Sequence, residues 1–107
     1  MIQPFIEIGA PDADQVLSFF SAVMGWTVKD EGPQRWLDTP GGPVGAHGGD
    51  DPLAVVYLPV ADLEAAIAAV RDNGGTVMGD INDEPGFGRF ATCVDPQGVR
   101  FGLHQKT

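Results

Sequence analysis

Gly74-Gly75-Thr76-Val77 repeats Gly25-Trp26-Thr27-Val28 at three of four positions, and each tetrad directly follows a stretch of helical periodicity. Before the first tetrad, Val16, Phe20, Val23 and Met24 fall at i, i+4, i+7 and i+8 and form one apolar stripe. Before the second, Leu63, Ala66, Ile67 and Val70 share a face in the same way. The first helix opens at Pro11-Asp12, with Gln15 three residues on in the manner of a capping box, and stops at Gly25. The second starts at Asp62 and stops at Asn73-Gly74-Gly75. Strand patterns surround both: residues 4–8, then 26–28, 35–37 and 44–47 in one half; 53–60, then 76–78, 89–94 and 99–104 in the other. A second match closes each half. Pro40-Gly41-Gly42 precedes Gly45-Ala46-His47, and Pro96-Gln97-Gly98 precedes Gly102-Leu103-His104 with one residue fewer between. Two matches at corresponding places in a repeated element order predict a duplicated βαβββ unit, about 3–49 and 53–105, within one domain of 107 residues.

A chain of this length buries one modest core, roughly 65% of its unfolded surface. Its formal net charge of −9, from six basic and fifteen acidic residues, excludes a phosphate-neutralising role: the arginines are scattered and the lysines are only Lys29 and Lys106. An anionic membrane would repel it for the same reason. No apolar run is long enough to span a bilayer, and Met1-Ile2-Gln3-Pro4 lacks a basic flank, so a cytoplasmic protein is expected. The single cysteine, Cys93, lies in an apolar strand-like stretch and reads as a buried, inert thiol.

Phe19-Phe20-x-x-Val23-Met24-Gly25-Trp26, Arg71-Asp72-Asn73-Gly74-Gly75, and Gly86-Phe87-Gly88-Arg89-Phe90-Ala91 leading to Asp95-Pro96-Gln97-Gly98-Val99-Arg100-Phe101-Gly102-Leu103 resemble the vicinal oxygen chelate superfamily. That superfamily holds glyoxalase I, extradiol dioxygenases, fosfomycin resistance enzymes and bleomycin-binding proteins. The resemblance covers nearly the whole chain and implies an α+β fold: two βαβββ units in tandem form a curled mixed sheet around a cup, with the helices outside. Strand alternation then turns Phe5, Glu7, Val55 and Tyr57 toward the cup, and Ile6, Ile8, Val56 and Leu58 toward the helices. By the same analogy, two copies are expected to pair as a homodimer.

The resemblance also implies where a metal would sit. Counting from the aligned motifs puts the four ligand positions on Phe5, Gly45, Val55 and Gly102, none of which has a donor atom in its side chain. Neither metal nor cofactor is therefore expected. Glu7, His47 and His104, each two residues along from such a position on the same face, are the alternative donor set for a displaced site. The cup left by these replacements is roomier and more apolar, with Trp26, Trp36, Tyr57 and Phe87 as candidate aromatic lining. These aromatics could instead fill a small core, Trp36 about as readily as it would line the cup.

Glu7, between Ile6 and Ile8, could serve as a general base, hold a cationic group, or pair with Arg100, which alternation puts on the cup side with Gly102 and His104. His47 and His104 could bracket the cup mouth or simply be surface histidines. The acidic runs Asp50-Asp51-Pro52 and Asp80-Ile81-Asn82-Asp83-Glu84 read as solvated connectors, since neither has calcium-loop spacing. The leading expectation is a metal-free protein that holds a small organic compound, aromatic or cationic, in the cup. The alternatives are a glyoxalase-like lyase or isomerase using Glu7 or a histidine, a displaced metal site, and a regulatory or accessory dimer module.

Overall fold

The structure, a computed structural model, describes residues 3–31 and 34–106. Met1 and Ile2, at the head of the amino-terminal reading, lie outside the described residues. The fold is α+β, in two compact units, one of Phe5–Val55 and the other from Val56 onward, to which Gln3 and Pro4 also belong. Each is a βαβββ unit, as the duplication predicts.

The first unit runs β1 (Phe5–Gly9), α1 (Ala13–Met24), β2 (Thr27–Glu31), β3 (Gln34–Thr39) and β4 (Gly42–His47). Its strands lie in the order β2-β3-β4-β1, antiparallel except for the parallel pair β1 and β4. The second follows the same plan with β5 (Leu53–Pro59), α2 (Leu63–Asp72), β6 (Thr76–Glu84), β7 (Gly88–Val94) and β8 (Arg100–Gln105), in the order β5-β8-β7-β6 with β5 and β8 parallel.

Local chemistry sets the helix ends. The Asp12 carboxylate accepts from the N–H groups of Asp14 and Gln15, and the Asp62 carboxylate from that of Ala65. The Leu63 N–H, free at a helix start, donates to the Gln105 side chain at 2.7 Å. Gly25 stops α1 with φ +74°, a value costly for any residue with a Cβ, and its N–H donates to the Ser21 carbonyl. The family-like Asp95-Pro96-Gln97-Gly98 proves to be a turn device: the Asp95 carboxylate accepts from Gln97 and Val99 N–H, both at 2.8 Å, and so aims β7 into β8.

Each helix packs one apolar face on its own sheet. Leu17, Leu37 and Val44 form the first core, joined by Ile8, Phe20, Trp26, Val28 and Ala46. Leu63, Ile67, Ala91, Cys93 and Leu103 form the second. The strands that open the units depart from expectation. Ile6, Val56 and Leu58, predicted to face the helices, are exposed, and of that set only Ile8 joins a core. The reason is footprint: α1 lies over β2, β3 and β4, and α2 over β6, β7 and β8, so the flank of each opening strand is uncovered. A second correction concerns residues 80–84, which are strand rather than connector, because β6 continues past a bulge at residues 79–81 that faces Ala91 alone on β7. Gly79, at φ +74°, makes that bulge possible.

Candidate functional site

On the helix-free face of the first unit, backbone register sets four residues in one transverse row. Glu7 on β1 is opposite Gly45 on β4, Gly45 opposite Trp36 on β3, and Trp36 opposite Lys29 on β2. Gly45 leaves a gap, and the Glu7 carboxylate leans into it, so that a Cβ on Gly45 would collide with the carboxylate. The row therefore reads carboxylate, gap, indole, ammonium. Glu7 and Trp36 are half-buried and Lys29 is exposed. Phe5, two residues from Glu7 on the same strand, shares the face and is half-buried. Two residues along the same strands, Gly9 is opposite His47. The His47 Nδ1 contacts the Asp50 carboxylate, which orients the ring over Gly9.

The second unit carries an equivalent row, Tyr57, Gly102, Thr92 and Met78. Here a ring closes the gap: a Cβ on Gly102 would collide with Tyr57. Tyr57 is buried and meets Phe90 edge-on at 6.0 Å between centroids, and Phe90 meets Phe87 at 5.4 Å. His104, the counterpart of His47 and opposite Pro59, is buried, with Phe87 tilted against it at 4.3 Å. Its Nε2 donates to the Phe87 carbonyl at 2.6 Å; a carbonyl can only accept, so the proton is on Nε2. Two histidines with the same motif thus have different surroundings, one in solvent with a carboxylate, one inside an aromatic cluster.

The remaining sequence candidates fall as follows. Trp26 packs with the helix-side core of the first unit. Val55, on the same face of β5 as Tyr57, is half-buried, and Arg100 is exposed at the start of β8, on the face of Gly102 and His104. Cys93 is fully buried; burial pushes its thiol up, opposed in part by the positive charge of Arg71. Arg89 makes a two-pronged pair with Glu64, whose carboxyl is held below the usual range chiefly by that hydrogen bond. Sequence reading missed an open cleft of about 390 Å³ between α2 and the β6 bulge, lined by Ile67, Ala68, Arg71, Val77, Asp80 and Ile81 among others. It exists because of the bulge, for which Gly79 was the only available signal.

The metal site implied by the resemblance can be tested against these residues. Phe5, Gly45, Val55 and Gly102 offer no donor, and the space over both glycines is taken by side chains of the opposing strand. Among the described residues, no three His, Cys, Asp or Glu side chains come together as a metal-binding group. These residues do not fit the metal. Among the described residues, no helix is long and apolar enough to cross a membrane.

Known proteins give the same fold. The chain overlays a methylmalonyl-CoA epimerase from Mycobacterium tuberculosis with a TM-score of 0.72 at 16% identity, over 96% of this chain and 86% of that one. It overlays a glyoxalase/bleomycin resistance protein/dioxygenase superfamily member from Vibrio splendidus 12B01 with a TM-score of 0.70 at 21% identity, covering both chains completely. In sequence it is 27% identical over 126 residues to the anthracycline biosynthesis protein DauV of Streptomyces sp. (strain C5), which covers 95% of this chain and 46% of DauV. A putative glyoxylase, CFP32 of Mycobacterium tuberculosis (strain CDC 1551 / Oshkosh), is 27% identical over 115 residues, 94% of this chain and 44% of the relative. The chain thus spans about half the length of these relatives. A family description covers residues 2–103, and on that match the chain belongs to the Glyoxalase/Bleomycin resistance protein/Dioxygenase superfamily.

Proposed function

We propose that this domain binds a small planar organic cation on the helix-free face of its first unit, without the metal used by enzymes of the family. The observation that carries the reading is the row in which a half-buried carboxylate, Glu7, and a half-buried indole, Trp36, flank the gap at Gly45. An indole face attracts a flat cation through its ring quadrupole, and a carboxylate two strands away, across the gap, supplies the charge-assisted contact. The net charge of −9 favours capture of a cation. The likeness to anthracycline biosynthesis proteins is consistent in kind, since anthracyclines are polycyclic aromatic compounds. The protein works in the cytoplasm as a pair of identical chains.

Three planar probes test the reading: 9-aminoacridine as the cation, acridone as the neutral ring and anthraquinone-2-sulfonate as the anion. Tryptophan quenching with 9-aminoacridine should saturate at an affinity at least about tenfold above either of the others. Glu7→Gln should erase that preference, and Trp36→Phe should remove most of the quenching while Trp26 still emits. Equal binding of the sulfonate, or a Glu7→Gln protein that keeps the preference, overturns it. For any compound the protein is found to transform, binding retained with turnover lost in Glu7→Gln would move Glu7 from binding group to proton-transfer group.

A further inference from the structure

We propose that the cleft between α2 and the β6 bulge binds an apolar α-amino acid, with its carboxylate on Arg71, its ammonium on Asp80 and its side chain on the cleft floor. This site belongs to the second unit and is independent of the face around Glu7 and Trp36.

Two elements build it. On α2, Glu64, Ile67, Ala68 and Arg71 stand at i, i+3, i+4 and i+7 and form one ridge. Opposite that ridge, β6 is the last strand of the sheet order, and its ladder with β7 skips residues 79–81. A bulge bends the strand that carries it, and here about 390 Å³ lies between strand and ridge. That is within the range of small-molecule sites, roughly 300–1,000 Å³. Nothing stands within 4 Å of where a Cβ on Gly79 would be, so the bulge backbone is open to a ligand. Ile67, buried, and Val77, half-buried, make the apolar floor, with Ala68 and Ile81 beside them.

Charge selects the ligand. Glu64, Arg71 and Asp80 are the charged residues lining the cleft. Both Glu64 carboxylate oxygens are engaged by Arg89. Among the described residues, the side chains of Arg71 and Asp80 make no ion pair or hydrogen bond, even with each other. A cation and an anion that line one cleft without meeting leave room between them for a molecule that carries both charges. The Arg71 charge acts on Cys93 in the sheet below α2, so the guanidinium stands over the sheet. Its planar fork suits a carboxylate, and the Asp80 carboxylate suits an ammonium. A simple carboxylic acid would be repelled by Asp80 and by a chain of net charge −9, and a simple amine would leave Arg71 unmatched. An α-amino acid has no net charge and matches both groups.

Isothermal titration of the full chain with three probes tests this: L-leucine, 4-methylpentanoate, which lacks the ammonium, and 3-methylbutylamine, which lacks the carboxylate. L-leucine should bind with a sub-millimolar Kd, at least about tenfold tighter than either of the others. Arg71→Gln should erase its advantage over the amine, and Asp80→Asn its advantage over 4-methylpentanoate. Ala68→Phe should fill the cleft and block binding. All three positions are exposed, so circular dichroism should be unchanged in each variant. No saturable heat with L-leucine at about 10 mM, or equal affinity for all three probes, overturns the proposal. So does L-leucine binding that survives Ala68→Phe, or a preference that survives both charge substitutions.

Discussion

At one and the same register position, Glu7 leans over Gly45 in the first unit while the ring of Tyr57 covers Gly102 in the second. The backbone plan is shared down to the glycine that makes room, yet the two gaps are filled by groups of opposite character. A carboxylate on a flexible stem can shift by rotation about its own bonds, whereas a buried ring packed on Phe90 cannot leave without emptying part of an aromatic cluster. The histidines repeat the lesson: His47 sits in solvent with Asp50, and His104 is locked to the hairpin tip at Phe87. One unit carries a carboxylate and an indole on this face, and the other fills the same face with an aromatic cluster.

The comparison can be broken or sharpened by substitution at matched positions. The largest effect should be common to both units: Leu17→Ala and Ile67→Ala each remove a buried anchor of a helix and should each cost about 3 kcal/mol in urea denaturation. A loss confined to one of them would mean that the two cores do not carry equal weight. Next, Gly102→Ala should cost about 2 to 3 kcal/mol, because its Cβ meets a buried ring, while Gly45→Ala should cost under about 1 kcal/mol, because the Glu7 carboxylate can move aside. Gly45→Ala should nonetheless abolish 9-aminoacridine binding. Equal stability losses would erase the proposed asymmetry. At the helix starts, Asp12→Ala and Asp62→Ala should each cost about 1 kcal/mol.

The smallest effect concerns the exposed pair Arg89–Glu64. Bonding to Arg89 lowers the Glu64 carboxyl, so its contribution is present above the ordinary glutamate range and fades as the pH falls through that lowered value. The Arg89→Gln protein should lack this acid-limb fading and differ little from wild type at neutral pH.

Much of this plan is local chemistry and could be read directly. Asp12, Gly25 and Asn73-Gly74-Gly75 mark helix ends because caps and left-handed stops depend on a few adjacent residues. The repeat of Gly45-Ala46-His47 in Gly102-Leu103-His104 sets the register that the strands adopt. The rest depends on neighbours distant in sequence. Val56 and Leu58 alternate as buried residues do, but whether a helix covers them is decided by where α2 lands, which periodicity does not encode. Residues 80–84 look like a solvated loop because Asp and Asn disfavour strands, and only pairing with β7 makes them one. The face taken by each tryptophan follows from strand register, which puts Trp36 opposite Gly45, and from core packing, which draws Trp26 under α1.

Cys93 has a use that its chemistry would not suggest. It is the chain's one thiol, fully buried in the core of the second unit, with its ionisation suppressed by that burial. An alkylating reagent can reach it only when that core opens, so the rate of modification times the opening of one unit and is silent about the other. Measured with and without a ligand bound on the first unit, that rate would report how far stabilisation gained at one face propagates along the chain.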